Sequence, residues 1–165
     1  MSIKTLFAPA GLLLLATLFT PAPAVQAAMV PFAALAGSWT GGGTLTMADG
    51  RAERLRCRAS YDVGGDGSNL SLNLKCASDS YNFNLTSDVE YQGGAIRGSW
   101  TEASRNASGT ISGRASGSGD QIEAAARGQN FAANLSLVTR GNRQTVSIRS
   151  EGTEISGVTV ALNRR

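Results

Sequence analysis

Histidine is absent from the 165 residues, and cysteine occurs only twice. The first absence removes the commonest metal ligand, haem ligand and general base, and with it most metalloenzymes and the usual catalytic triads. Lysine is nearly missing as well. With only Lys4 and Lys75 present, no serine has a lysine beside it to act as its base. Charged residues make up 16% and are close to balanced, so the high pI reflects scattered arginine and not a basic block. Only Arg51–Arg58 is locally rich, and the intervening Glu53 and the strand-like spacing give a solvated outer face. Nucleic acid is therefore not an expected partner, and no enzyme, metal or cofactor is expected.

Long apolar runs are also scarce. The one that exists, Ala10–Leu18, follows Lys4 and precedes the small-residue stretch Pro21–Ala28. This is the layout of a secretory signal peptide, with a run too short to span a bilayer as a helix. Val25-Gln26-Ala27 fits the small-x-small rule, which places cleavage after Ala27. Residues 1–27 are thus read as a leader and 28–165 as one domain, in a periplasmic or secreted bacterial protein. In an exported chain two cysteines are expected to be bonded to each other.

No proline and no helical period occur between Gly37 and Arg165. What is present is a series of short alternating runs, separated by Gly, Asn, Asp and Ser every ten or so residues. That pattern predicts an all-β fold, an antiparallel up-and-down meander of about ten strands. A hairpin pairing Val63 with Leu70 also pairs Cys57 with Cys76, both on apolar faces, which predicts a cross-strand disulfide. The same procedure places Tyr81, Phe83 and Leu85 opposite Cys76, Leu74 and Leu72. It sets Tyr91 against Ile96, Trp100 against Ile111, Ala115 against Ile122, Ala126 against Phe131, Leu137 against Val146 and Ile148 against Ile155. Inward parity changes after Ile155, which predicts a bulge at Ser156-Gly157. The hairpin at Ala48-Asp-Gly50 requires a three-residue turn with Gly50 left-handed.

An open sheet of this length would leave two edges and an oily face in water, and no helix is available beyond a turn within Val30–Ala36. Pairing the last strand with the one beginning at Ser38 closes a barrel and removes the problem. A membrane-spanning barrel is disfavoured by short turns at both ends, the lack of an aromatic girdle and the polar end Asn163-Arg-Arg165. Inside, one cross-strand row reads Val89, Gly98, Gly113, Ala124, Ala133, Ser150 and is almost all small. It forms either a trough for a flat or chain-like apolar ligand or a place where the sheet bends sharply. Glu102 also falls inward, near a strand end. It is either a solvated rim carboxylate or, if buried, a group that could orient a ligand's polar head.

Leu35-Ala-Gly37-Ser-Trp39, after a short apolar turn, resembles the Gly-x-Trp segment that opens the first strand in the calycin group of lipocalins, fatty-acid-binding proteins and avidins. The resemblance implies that Trp39 closes the barrel floor and that Arg164, near the end of the last strand, packs over it. Haem-binding relatives use a histidine, which this chain lacks. Small bacterial barrels that inhibit secreted proteases also begin with Gly-x-Trp and carry one disulfide.

These readings favour a non-enzymatic binding protein for a hydrophobic small molecule or lipid. Its expected lining is Trp39, Tyr61, Phe83, Gly98, Trp100, Gly113 and Phe131. The alternative is a protein-interaction module, such as a protease inhibitor or cell-envelope scaffold.

Overall fold

The computed structural model describes residues 31–116 and 118–165, so the leader expected over 1–27 lies outside the described residues. A single 3-10 turn, Ala33–Leu35, precedes ten strands. They are β1 (Gly37–Met47), β2 (Ala52–Val63), β3 (Asn69–Ala77), β4 (Asn82–Gln92) and β5 (Ala95–Glu102), then β6 (Ala107–Ala115), β7 (Gln121–Gly128), β8 (Phe131–Arg140), β9 (Arg143–Glu151) and β10 (Ile155–Arg164). Each pairs antiparallel with its sequence neighbours, and β10 pairs with β1, so the barrel is closed. Among the described residues no helix is long and apolar enough to cross a membrane.

The turns account for the hairpins. Gly50 has φ of 87°, and its amide donates to Met47, closing the three-residue turn that the sequence requires there. Gly93 and Gly94 both have positive φ and form the two-residue turn between β4 and β5, where a side chain would be strained. Val63 pairs with Leu70, Cys57 with Cys76, Tyr91 with Ile96, Ala115 with Ile122 and Leu137 with Val146, all as the turn chemistry predicts. Cys57 and Cys76 are disulfide-bonded, with Cα atoms 4.1 Å apart. Between β10 and β1 the register steps from Thr46↔Gly157 to Met47↔Ile155, leaving Ser156 as the extra residue of a bulge.

Four hairpins correct the expected register. Cys76 faces Phe83, not Tyr81, and Leu74 faces Leu85. Trp100 faces Gly109, not Ile111. Phe131 faces Gly128, not Ala126, and Ile148 faces Val158, not Ile155. In the first three of these the pairing moves by two residues. Such a shift leaves every side chain on its own face, so the barrel is unaffected while the rows inside it change. In the fourth, the bulge at Ser156 supplies the odd residue that carries Val158, Val160 and Leu162 inward after Ile155.

The two ends of the barrel differ. The end that holds the 3-10 turn is packed solid, with Phe32, Leu35 and Trp39 fully buried. The Trp39 indole donates to the Leu35 carbonyl at 2.7 Å, and the Arg164 guanidinium lies 4.5 Å over its ring. Arg164 also donates to the carbonyls of Ala34 and Ala36, tying the 3-10 turn to the closing strand. Beside this plug, Tyr61 donates to the side-chain oxygen of Gln144 at 2.7 Å, and Gln144 donates to Thr139. The group is buried but satisfied, which is the condition for polar atoms in a core. Burial pushes the Tyr61 phenol well above its usual range, against the smaller opposing effect of its bond to Gln144.

Candidate functional site

The opposite end is the mouth, formed by the turns after β1, β3, β5, β7 and β9. Exposure along the strands shows where the interior is filled. Inward residues of β2 such as Leu55, Cys57, Ala59 and Tyr61 are buried. On β6, by contrast, every inward residue from Ala107 through Ile111 to Ala115 is only half-buried. Leu74, Leu85, Ala126, Leu135 and Ile148 are likewise half-buried, although they point inward from the middle of the wall. Solvent therefore reaches parts of the β3–β9 wall, between the buried Ile96, Trp100, Ile122, Ala133 and Leu137, while the inward residues of β2 are packed.

Aromatic residues gather on the open side. Trp100 and Phe131 meet edge to face at 5.3 Å, across Gly109 and Gly128. A Cβ on Gly109 would lie 2.9 Å from the Trp100 indole nitrogen, and one on Gly128 would lie 2.9 Å from the same ring. The two glycines are therefore the floor on which the indole lies flat. Its Nε1–H is buried, in a residue only 6% exposed, and finds no acceptor among the described residues. A buried donor in that state costs about 1–3 kcal/mol. An acceptor brought within reach by a small swing of the ring would recover that energy.

At the lip, Phe83 stacks with Tyr81 at 6.4 Å, and the Arg105 guanidinium covers both rings, 4.8 Å and 5.6 Å from their centroids. Glu102 is 6% exposed, but both of its oxygens are occupied. One accepts the amides of Asn84 and Ser104 at 2.8 and 3.1 Å, and the other accepts the Arg105 amide at 2.9 Å, with the Arg105 guanidinium 3.5 Å away. Burial favours the protonated acid, yet these hydrogen bonds together outweigh it and hold the carboxyl below its usual range. Glu102 thus clamps the Ala103–Asn106 turn and has no lone pair placed to orient a ligand.

Of the expected lining residues, Trp100 and Phe131 meet on the mouth side, Phe83 stands apart at the lip against Tyr81, and Trp39 and Tyr61 belong to the plug. Gly98 and Gly113 do not share a row. Gly98 lies between Val89 and Ile111, and Gly113 between Ile96 and Ala124, so the continuous small-residue trough is not formed. A Cβ at either would come within 2.3 Å of a carbonyl on the next strand, so they are points of tight bending. Ile111, Leu135 and Ile148, outside the expected lining, also face inward, Leu135 opposite Ile148 as the β8–β9 turn requires and Ile111 opposite Gly98. Among the described residues no cluster of metal-ligating side chains occurs.

Two shallow, open depressions lie on the outer wall, the first of about 620 Å³ between Thr40, Arg56, Arg58, Lys75 and Asn84. The second adjoins it beside Ser60 and Asn73.

No family model matches the chain, and no curated protein matches it in sequence. Solved structures do. Rv2717c from M. tuberculosis superposes with a TM-score of 0.63 at 16% identity, over 81% of this chain and 94% of its own. The S-type phycobiliprotein lyase CPES from Guillardia theta gives 0.63 at 7% identity, over 81% and 90%. The shared property is the fold. It is a closed barrel of ten antiparallel strands. The expectation that this chain is not an enzyme is corrected by the second of these structures, since a lyase is built on the same barrel. The lack of histidine excludes particular chemistries and not enzymes as a class.

Proposed function

We propose that the protein is a periplasmic or secreted barrel that takes up an apolar small molecule or lipid through the mouth, on the β3–β9 side of the interior. The observation that carries this reading is the uneven filling of the barrel, half-buried along β6 and fully buried along β2. Phe83, Trp100 and Phe131 would line the entrance, with Ile111, Leu135 and Ile148 deeper. The unpaired Trp100 N–H adds a preference for a ligand with one hydrogen-bond acceptor near the aromatic layer. The disulfide supports an oxidising compartment. The G. theta neighbour, a phycobiliprotein lyase, supports a barrel that handles a small molecule.

Native mass spectrometry of protein purified from its own compartment tests the reading. A co-purifying apolar compound, displaced by a polarity-sensitive dye, is the expected result. Absence of any bound compound together with failure to take up the dye would remove the proposal.

A further inference from the structure

We infer a second binding site, on the outer wall of β1–β4 and independent of the interior, for a carboxylated linear polysaccharide. Thr40, Arg58, Lys75 and Asn84 are consecutive cross-strand partners and face outward in one row. The next row toward the mouth reads Gly42, Arg56, Ala77, Asn82. Arg165 reaches the first row as well, its Nε donating to Thr40 Oγ1 at 3.2 Å. Like charges directly opposite each other on a sheet are unfavourable, and Arg58 and Lys75 are such a pair, with Arg56 beside them. No carboxylate relieves them. The ion pairs among the described residues are Arg51–Asp49 and Arg105–Glu102, and neither touches this wall. The acids that share the face lie farther toward the plug, Asp62 and Asp88 flanking Ser71 and Glu90 opposite Asn69. An arrangement that costs stability and is left uncompensated is what an anion-binding surface requires.

The floor of the groove narrows the chemistry. Ala77 in the depression and Gly42 in the same row carry no long side chain, which leaves the wall low between arginine and lysine side chains. Besides the cations, the polar groups around it are Thr40, Asn82, Asn84 and Ser104, and Phe83, whose strand turns it inward, is the one aromatic at its edge. A single inward-turned ring gives successive bases of single-stranded nucleic acid no stacking platform. With no large apolar side chain projecting outward, this face has nothing to insert into a bilayer. A linear acidic glycan matches both sets of groups. The hydroxyls between its carboxylates suit Thr40, Asn84 and Asn73.

Isothermal titration of the full mature chain with an oligogalacturonate tests this, with a neutral dextran oligomer, single-stranded DNA and anionic phospholipid vesicles as comparisons. Saturable binding to the oligogalacturonate is expected, weakened several-fold between about 0.05 M and about 0.5 M salt. Arg58→Ser with Lys75→Ser should reduce it at least tenfold. The same double variant should melt no lower than the parent, because it removes a repulsion, and should still take up the apolar dye. Absence of oligogalacturonate binding, binding that the double variant leaves unchanged, or tighter binding to the DNA or the vesicles would each overturn the inference.

Discussion

Arg164 and Trp39 are Cα partners across the β1–β10 seam, and the guanidinium of the one lies 4.5 Å over the ring of the other. The contact joins the first strand, the last strand and the 3-10 turn, because the same guanidinium binds the carbonyls of Ala34 and Ala36. Arg164→Ala removes the cation–π contact and strips two carbonyls of their donor. A loss of about 2 kcal/mol is expected, read as a lower urea midpoint with an unchanged slope. Arg164→Lys should recover less than half of this, since an ammonium cannot lie flat on the indole and span both carbonyls. An unchanged midpoint in the alanine variant would mean that backbone pairing alone closes the barrel.

Glu102 should make the mouth sensitive to acid. Its carboxyl is held below the usual value near 4.5, so the stability it contributes is complete above that pH in the unfolded reference. It is lost as pH falls through the lower folded value. Glu102→Gln should cost about 1–2 kcal/mol at neutral pH, because an amide accepts fewer of the three backbone N–H bonds. It should also flatten the decline in melting temperature between pH 5 and pH 3. A variant whose melting temperature falls as steeply as the parent's would assign the acid sensitivity to other carboxylates.

The architecture was legible because strand faces have a period of two. Misplacing Phe131 by two residues moved it from Gly128 to Ala126 without turning it outward. The error itself has a physical source. Pairing Ala126 with Phe131 puts Gly128 in the turn, but its missing side chain is needed under the Trp100 ring, and Asn130 takes the left-handed turn position with φ of 57°. Asn106, at 51°, does the same beside the Glu102 clamp. Glycine serves both turns and close packing, and a single sequence does not distinguish the two. The plug was legible through Trp39 and Arg164. The open side was not, because the partners of Ile111 on β5 and of Leu135 on β7 depend on the hairpins that shifted.

Tyr61 should remain protonated as long as the barrel is folded. Its pKa is raised mainly by burial, so the unfolded chain alone ionises it near the ordinary value of 10. Stability is unaffected below that pH and declines above it. Absorbance at the phenolate band should therefore show a phase that coincides with alkaline unfolding followed by circular dichroism. Tyr61→Phe should abolish that phase and cost about 1–3 kcal/mol by leaving the Gln144 oxygen unpaired. A fully reversible titration of all tyrosines in the folded protein would contradict the buried placement.

Cys57 and Cys76, 19 residues apart, close a short loop on the packed side of the barrel. Replacing both with serine should cost about 3 kcal/mol if loop closure dominates. Cys76 is the cross-strand partner of Phe83 at the lip, so the bond fastens the wall beside the mouth and the double variant should melt below the parent. An unchanged melting temperature would deny the bond a part in holding the barrel.

The chain has two tryptophans, one in the plug and one beside the open interior, and this permits the most direct test of where a ligand enters. Trp39→Phe and Trp100→Phe each leave a single emitter, to be titrated with a brominated long-chain fatty alcohol that quenches only on contact. The account predicts saturable quenching of Trp100 in the first protein and little quenching of Trp39 in the second. Quenching of Trp39 equal to that of Trp100, or no saturable quenching of either, would contradict an interior that fills from the mouth.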